Sequence, residues 1–289
     1  MINIKEFRVD KIVLLLSVIR KMKQIPFERD ARFYKVIQAA KVFTNNPDIY
    51  KELLEDKELI TNLSQILSSN SFQNLYDEAL SYRDAVASRW KKLEPIIRDY
   101  CAKTLGLTEE KDILANIVNP RFNTGTNNMK NEIFFGHMNG EKDISYDATY
   151  IMHEAMHCKF PRQKEWSEEQ YGICHSLIEL AIDNELMSRL GGNNCNYGQG
   201  HHGGEKIRKR LMPLWITYLS KKGGALNFEV PTDEEFRKYM NIAQSNDVQN
   251  MNFTDLMEYC IEHYQEYGLD KNTFIIKKKN EVQCDGEEI

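Results

Sequence analysis

The sequence predicts an α+β protein that is predominantly helical, with a small sheet beside one central helix. Most of the chain has apolar residues at helical spacing, and capping boxes such as Ser167-Glu168-Glu169-Gln170 indicate helix starts. Two short apolar runs, at 113–118 and 132–136, are bounded by Asn, Pro and Gly, which is typical of strands. Both runs come shortly before the helix that carries the most informative motif.

The composition describes a globular chain with a mildly acidic surface. Hydrophobic residues make up 42% of the 289 positions, and the net charge of −5 excludes general nucleic-acid binding on electrostatic grounds. The basic runs at 206–210 and 277–279 are short, and we interpret them as solvent-exposed faces. The apolar run at 12–19 is far shorter than the about 20 residues of a membrane span. We therefore expect a core helix there and no membrane span.

Cysteine usage favours a reducing compartment. The six cysteines are scattered along the chain and form no C-x-x-C pair. This spacing is more typical of reduced thiols than of a disulfide framework, so we expect the protein to be cytoplasmic.

Three regions follow from these patterns. Residues 1–107 are predicted to be a helical N-terminal region, and residues 108–204 hold the two strands and the motif helix. Residues 205–289 form a helical C-terminal region, either separate or continuous with the central one.

The elements of the first two regions have recognisable boundaries. A helix is expected to open at Asn46-Pro47, and another to run over 71–105 with an interruption near Pro95. Residues 123–128 have the composition of a loop. The motif helix is expected from about Ser145 to the residue before Pro161.

The later elements are mainly helices. The capped helix after Ser167 is expected to continue to Leu190 and to end at Gly191-Gly192. A helix at 205–221 has an expected kink at Pro213, and two further helices are expected after the caps Thr232 and Thr254. The segment 273–276 is expected to form a short strand.

The central motif is His153-Glu154-Ala155-Met156-His157, an H-E-x-x-H sequence. Residues four apart lie on one face of a helix, so both imidazoles are able to bind one zinc ion. The glutamate after the first histidine is then positioned to act on a water molecule. The pattern indicates a zinc hydrolase, for which a third protein ligand is needed.

The capped helix supplies the candidates for that ligand. His175, Glu179 and Asp183 are spaced i, i+4 and i+8, so they form a polar stripe on an otherwise apolar helix. Burying such a stripe is costly unless its members are paired or bind a metal.

The combination of His153-Glu154-x-x-His157 with Glu179-x-x-x-Asp183 resembles the gluzincin group of zinc metallopeptidases, to which thermolysin belongs. The resemblance covers about residues 132–190 and implies a zincin-like catalytic core. It implies His153, His157 and Glu179 as zinc ligands, Glu154 as general base and Asp183 as the residue that orients His153. His175 is then expected beside the ligands, and His175 or Asp183 stays open as the third ligand.

The resemblance also implies how a peptide would be held. In gluzincins the strand before the motif helix pairs with an extended substrate, and residues 133–135 are the candidate here. Gluzincins commonly stabilise the oxyanion with a downstream Tyr or His, which makes Tyr197 and His201 catalytic candidates, with His202 beside them.

These observations predict a zinc-dependent metallopeptidase that acts on a peptide or protein substrate. The alternative is a zincin-fold binding or scaffold protein that holds a metal without turnover. The G-x-G-x-x-G sequence at 198–203 follows a helix rather than a strand, which excludes a dinucleotide-binding interpretation.

Overall fold

The structure, a computed structural model, describes residues 1–21, 64–122, 124–137, 144–191, 200–224 and 233–269. In chain order the strands are β1 (Ile2–Arg8), β2 (Lys111–Ile117), β3 (Thr124–Asn127) and β4 (Glu132–Gly136). The helices are α1 (Lys11–Lys21), α2 (Asn70–Asp99), α3 (Ile144–Lys159), α4 (Glu168–Ile178), α5 (Glu205–Leu219), α6 (Glu234–Ser245) and α7 (Phe253–His263). The expected helix at Asn46-Pro47 and the strand at 273–276 lie outside the described residues.

The four strands form one mixed sheet in the order β1-β2-β4-β3. β1 and β2 are parallel, β2 and β4 are parallel, and β3 runs antiparallel to β4. Mostly helical structure with a small mixed sheet confirms the α+β class. The two strands expected from apolar runs, β2 and β4, form the interior of the sheet.

Both outer strands differ from the expectation. β1 lies where a purely helical region is predicted, and a register shift between Ile4 and Glu6 interrupts its pairing with β2. That irregularity breaks the alternation that signals a strand. β3 has the polar composition Thr-Gly-Thr-Asn, which is typical of a loop, but it pairs along β4. Gly125 of β3 lies against the ring of Tyr150, where a Cβ atom would come within 1.8 Å of Cε1.

Proline does not interrupt the long helix α2. Ser69 caps its first turn by accepting a hydrogen bond from the Phe72 amide, and the helix continues through Pro95 to Asp99. The expected break is therefore wrong. Trp90, Leu93 and Ile97, on both sides of Pro95, are buried in the core, and this packing offsets the lost backbone hydrogen bond. A π-helical turn, Tyr100–Thr104, follows.

The caps of the later helices are confirmed in part. Ser167 and Gln170 form the predicted reciprocal capping box at the start of α4. α6 is capped by Asp233, whose side chain accepts from the Phe236 amide, and α7 is capped by Asn252 rather than by Thr254. α5 continues through Pro213.

One core cluster draws buried side chains from all three predicted regions. Trp90 and Tyr100 come from the first region, Phe135 from the second, and Trp215 and Phe253 from the third. α3 contacts all four strands of the sheet and also packs against α2 and α4, so the motif helix lies within the core of the described residues. Among the described helices, none is long and apolar enough to cross a membrane.

Candidate metal centre

The two motif histidines meet on the buried face of α3. His153 and His157 are 5% and 3% exposed, and their Nε2 atoms lie 3.2 Å apart. A tetrahedral zinc ion bound at about 2.0–2.1 Å places two ligand nitrogens about 3.3 Å apart. Among the described residues, no group is a hydrogen-bond partner of the buried His157 Nδ1. The pair therefore fits a zinc site through its Nε2 atoms.

The carboxylate of Asp183 contacts the His153 ring at Nδ1. Its two carboxylate oxygens lie 3.0 and 3.1 Å from His153 Nδ1. A carboxylate there keeps a proton on Nδ1, so Nε2, which faces His157, is the nitrogen that would bind a metal. Burial lowers the pKa of His153, but the charge and hydrogen bond of Asp183 outweigh it and raise the pKa to about 9. Burial and the neighbouring His153 charge lower the pKa of His157 well below its ordinary value.

The helix carrying the polar stripe is not a regular α-helix. After α4 the chain continues as a π-helical segment, Glu179–Leu186, and ends in an α-helical turn, Met187–Arg189. The side chain of Asn184 donates to the Glu179 carbonyl oxygen over 2.8 Å. The i→i+5 hydrogen bonds of a π-helix widen the turn after Glu179, so the expected i, i+4 contact is kept between His175 and Glu179 but the regular spacing does not continue to Asp183.

His175 and Asp183 contact histidines of α3, whereas Glu179 contacts both His175, at 3.3 Å from Oε1 to Nε2, and Arg208 of α5. The ring centroid of His175 lies 5.2 Å from that of His153 and 4.8 Å from that of His157. Glu179 is completely buried and forms an ion pair with Arg208, which is 1% exposed. Burial raises the pKa of the Glu179 carboxyl, but hydrogen bonds from His175 and His201 lower it well below its usual range.

Arg208 was missed because the basic run at 206–210 was interpreted as a solvent-exposed face. The spacing of Arg208 with Leu211, Met212 and Trp215 puts all four on one face of α5, and all four are buried. This helical periodicity is the sequence feature that could have indicated the burial of Arg208.

His201 reaches the centre from the segment before α5. Its backbone N–H donates to Glu179 Oε1 over 2.6 Å, and its ring Nδ1 lies 2.7 Å from the same oxygen. The hydrogen bond to Glu179 raises the pKa of His201. Gly200 has a φ of +126°, and a Cβ there would come within 2.7 Å of both Arg208 and Glu179. Only glycine fits this close approach. Tyr197 lies outside the described residues, as does the side chain of His202.

The motif glutamate has a partner that the sequence did not indicate. Asn127, at the end of β3, donates from Nδ2 to Glu154 Oε2 over 2.7 Å. Asn127 Oδ1 accepts from the Met129 amide over 2.9 Å, which fixes the orientation of the side-chain amide. Asn127 was missed because its segment was expected to be a loop.

A cavity of about 400 Å³ opens in front of these groups. Glu154, His153, Asp183 and His201 line it together with Tyr146 and Tyr150 of α3. The cavity has the size of a small-ligand site with a few convergent polar groups.

The strand predicted to pair with substrate is not available for that role. β4 is hydrogen-bonded to β2 along one edge and to β3 along the other. The expectation for residues 133–135 is therefore wrong. β3 is the outer strand on the side of the cavity, and it carries Asn127 beside Glu154.

The described residues bring most of the predicted site together. His153, Glu154, Asp183 and His201 line the cavity, the rings of His157 and His175 contact that of His153, and Glu179 contacts His201. The ligand atoms of His153, His175 and His201 lie within 4.8 Å of one another, so these residues are able to hold a metal ion. Comparisons with protein-family models, curated proteins and solved structures find no match to this chain.

Proposed function

We propose that this protein is a zinc-dependent metallopeptidase that hydrolyses peptide bonds with Glu154 as the general base. One observation carries the proposal. Glu154 lines the same cavity as His153, whose Nε2 atom lies 3.2 Å from that of His157, and the Glu154 carboxylate accepts a hydrogen bond from Asn127.

His153 and His157 would hold the zinc ion, together with a third group from the stripe that begins at His175. Zinc, when bound, polarises a carbonyl group and makes water a better nucleophile near neutral pH. The geometry of His153 and His157 supports this assignment, and so does the carboxylate of Asp183 behind His153, because metal-binding histidines usually donate their other N–H to such a group.

Glu154 would take a proton from the attacking water and pass it to the leaving amine. The hydrogen bond from Asn127 to Oε2 leaves Oε1 for the water and holds the side chain in one orientation. His201, which lines the cavity and is held by Glu179, would donate to the carbonyl oxygen as negative charge develops on it.

A peptide in extended conformation is the substrate that the surroundings favour. The outer edge of β3 has no strand paired to it in the described sheet, and β3 ends at the general base. Strand addition along this edge would present a peptide to the cavity through backbone hydrogen bonds. We propose a cytoplasmic location, since the four described cysteines are free and buried rather than cross-linked.

The proposal is tested with purified protein, zinc and an unstructured substrate such as casein. Glu154→Gln is expected to keep one zinc per chain and to lose hydrolysis by at least about 100-fold, the scale of general-base catalysis. Glu262→Gln, the same change at an exposed position on α7, is the control and should retain full activity. Full activity of Glu154→Gln, or activity that survives complete zinc removal by a chelator, would contradict the proposal. A wild-type protein that binds zinc but cleaves no peptide in a random library would favour the scaffold alternative.

A further inference from the structure

We propose that the zinc centre of this chain is a three-histidine site. His175 is the third ligand, and Glu179 holds the His201 segment in place instead of binding the metal. The inference rests on the zinc site of the proposed function, and it concerns which residues form that site.

The three imidazoles of His153, His157 and His175 form a nearly equilateral triangle. Their ring centroids are separated by 5.0, 4.8 and 5.2 Å. Zinc bound tetrahedrally through nitrogen at about 2.0–2.1 Å places the ring centres of its histidine ligands about 5 Å apart. The ring of His175 is therefore about equally distant from the rings of the two motif histidines, and its Nε2 atom lies 3.0 Å from His201 Nδ1 and 3.3 Å from Glu179 Oε1.

Glu179 has both of its oxygens engaged elsewhere. Oε2 accepts from the Arg208 guanidinium, and Oε1 accepts from the His201 backbone N–H over 2.6 Å. Glu179 is the one carboxylate partner of the Arg208 guanidinium within the described part of the chain. A buried guanidinium needs that full counter-charge, which a zinc ion would compete for.

The other two candidates are placed differently from His175. Asp183 contacts His153 at Nδ1, the nitrogen on the far side of the ring from His157, so its carboxylate lies behind the ligand. His201 is the most exposed imidazole of the group, with 67% of its side chain accessible, and its Nδ1 is bound to Glu179. His201 thus lies on the cavity side, where a substrate would enter.

Glu179 instead holds the segment that carries His201 in position. Arg208 donates to the His201 carbonyl oxygen over 2.9 Å as well as to Glu179. A Cβ on Gly204 would come within 2.9 Å of Arg208 and 3.0 Å of Glu179, so the segment lies directly on the ion pair. Glu179 is then a positioning residue for the cavity-facing histidine.

The test measures zinc affinity by competition with a chromophoric chelator, for the wild type and single variants. His175→Ala is expected to lose more than about 100-fold in affinity, because losing an outer partner of a ligand costs only about 10–100-fold. Glu179→Gln and His201→Ala are expected to lose less than that. His263→Ala, which removes a histidine of α7 outside the cluster, is the control and should leave the affinity unchanged.

X-ray absorption spectroscopy of the zinc-loaded wild type provides a second readout that needs no variant. Scattering from three imidazoles is expected. Two imidazoles with a carboxylate, or a loss above 100-fold in Glu179→Gln while His175→Ala keeps its zinc, would overturn the assignment. Peptidase activity with a two-imidazole spectrum would refute this inference alone, whereas a three-imidazole centre without activity would refute the proposed function alone. A wild type that binds no zinc would refute both.

Discussion

The buried ion pair between Glu179 and Arg208 leads to a sharp prediction about stability. The perturbation is Arg208→Met, which keeps a long side chain in the core of α5 but removes its charge. Because both partners are at most 1% exposed, the change leaves a carboxylate buried with only histidine partners.

The expected magnitude follows from that burial. Removing one partner of a fully buried pair costs about 3–5 kcal/mol of unfolding free energy, since the remaining charge is uncompensated. Replacing both groups, in Glu179→Leu with Arg208→Met, should cost less than Arg208→Met alone because neither charge of the pair is left in the core. Arg162→Met is the matched control. Arg162 pairs with Glu168 at 2.6 Å on the surface, and such exposed pairs contribute only about 0–1 kcal/mol.

Urea unfolding of the zinc-free protein at pH 7 measures all four proteins. The pKa of Glu179 is lowered in the folded state, so its contribution is present above the ordinary value of about 4.5 and is lost on acidification below it. The difference between wild type and Arg208→Met should therefore shrink in acid. A loss below about 1 kcal/mol for Arg208→Met at pH 7, equal to that of Arg162→Met, would refute a buried and uncompensated charge.

Two further predictions concern neighbouring residues. The pKa of His153 is raised to about 9 in the folded protein, against about 6.5 in the unfolded chain. Asp183 should therefore stabilise the zinc-free protein by about 3 kcal/mol at pH values below about 6.5, and this stabilisation should be lost as the pH rises through 9. Urea unfolding of wild type and Asp183→Asn across that range measures the effect, and equal pH dependence in the two would contradict it. Asn127→Ala should lower kcat by about 10-fold with zinc affinity and KM unchanged, because one hydrogen bond that orients Glu154 is worth about 1.5 kcal/mol. Lower kcat with equally lower zinc affinity would indicate a structural role instead.

The parts of the fold that the sequence predicted are those with local signals. β2 and β4 are short apolar runs between turn residues, and both form where expected. The reciprocal contacts of Ser167 and Gln170 involve residues three apart, so they can be recognised in a single sequence.

The remaining parts depend on partners distant in the chain. β3 is a strand because it pairs with the edge of β4, and the composition Thr-Gly-Thr-Asn does not predict this pairing. Arg208 is buried because Glu179, 29 positions earlier, needs a counter-charge. The π-helical segment that begins at Glu179 likewise interrupts the regular 3.6-residue period from which the position of Asp183 was expected.

Within the candidate site, too, contacts between residues close in the sequence were predicted, whereas a contact between distant residues was missed. His153 and His157 are four residues apart on one helix and Glu154 follows His153 directly, so the proximity of the three follows from helical geometry. Asn127 reaches Glu154 from a different element, at a sequence separation of 27, and only the sheet order brings them together.

The parallel pairing of β1 with β2 has a consequence for how the protein reaches its folded state. Asn3 bonds to Asp112 across a sequence separation of 109, so this edge of the sheet closes a very long loop. Closing such loops costs entropy before any contact is gained, and chains dominated by distant pairings fold slowly. Because α3 packs on this sheet, we expect the face that carries the candidate metal ligands to become rigid late in folding, after most of the chain has left the ribosome.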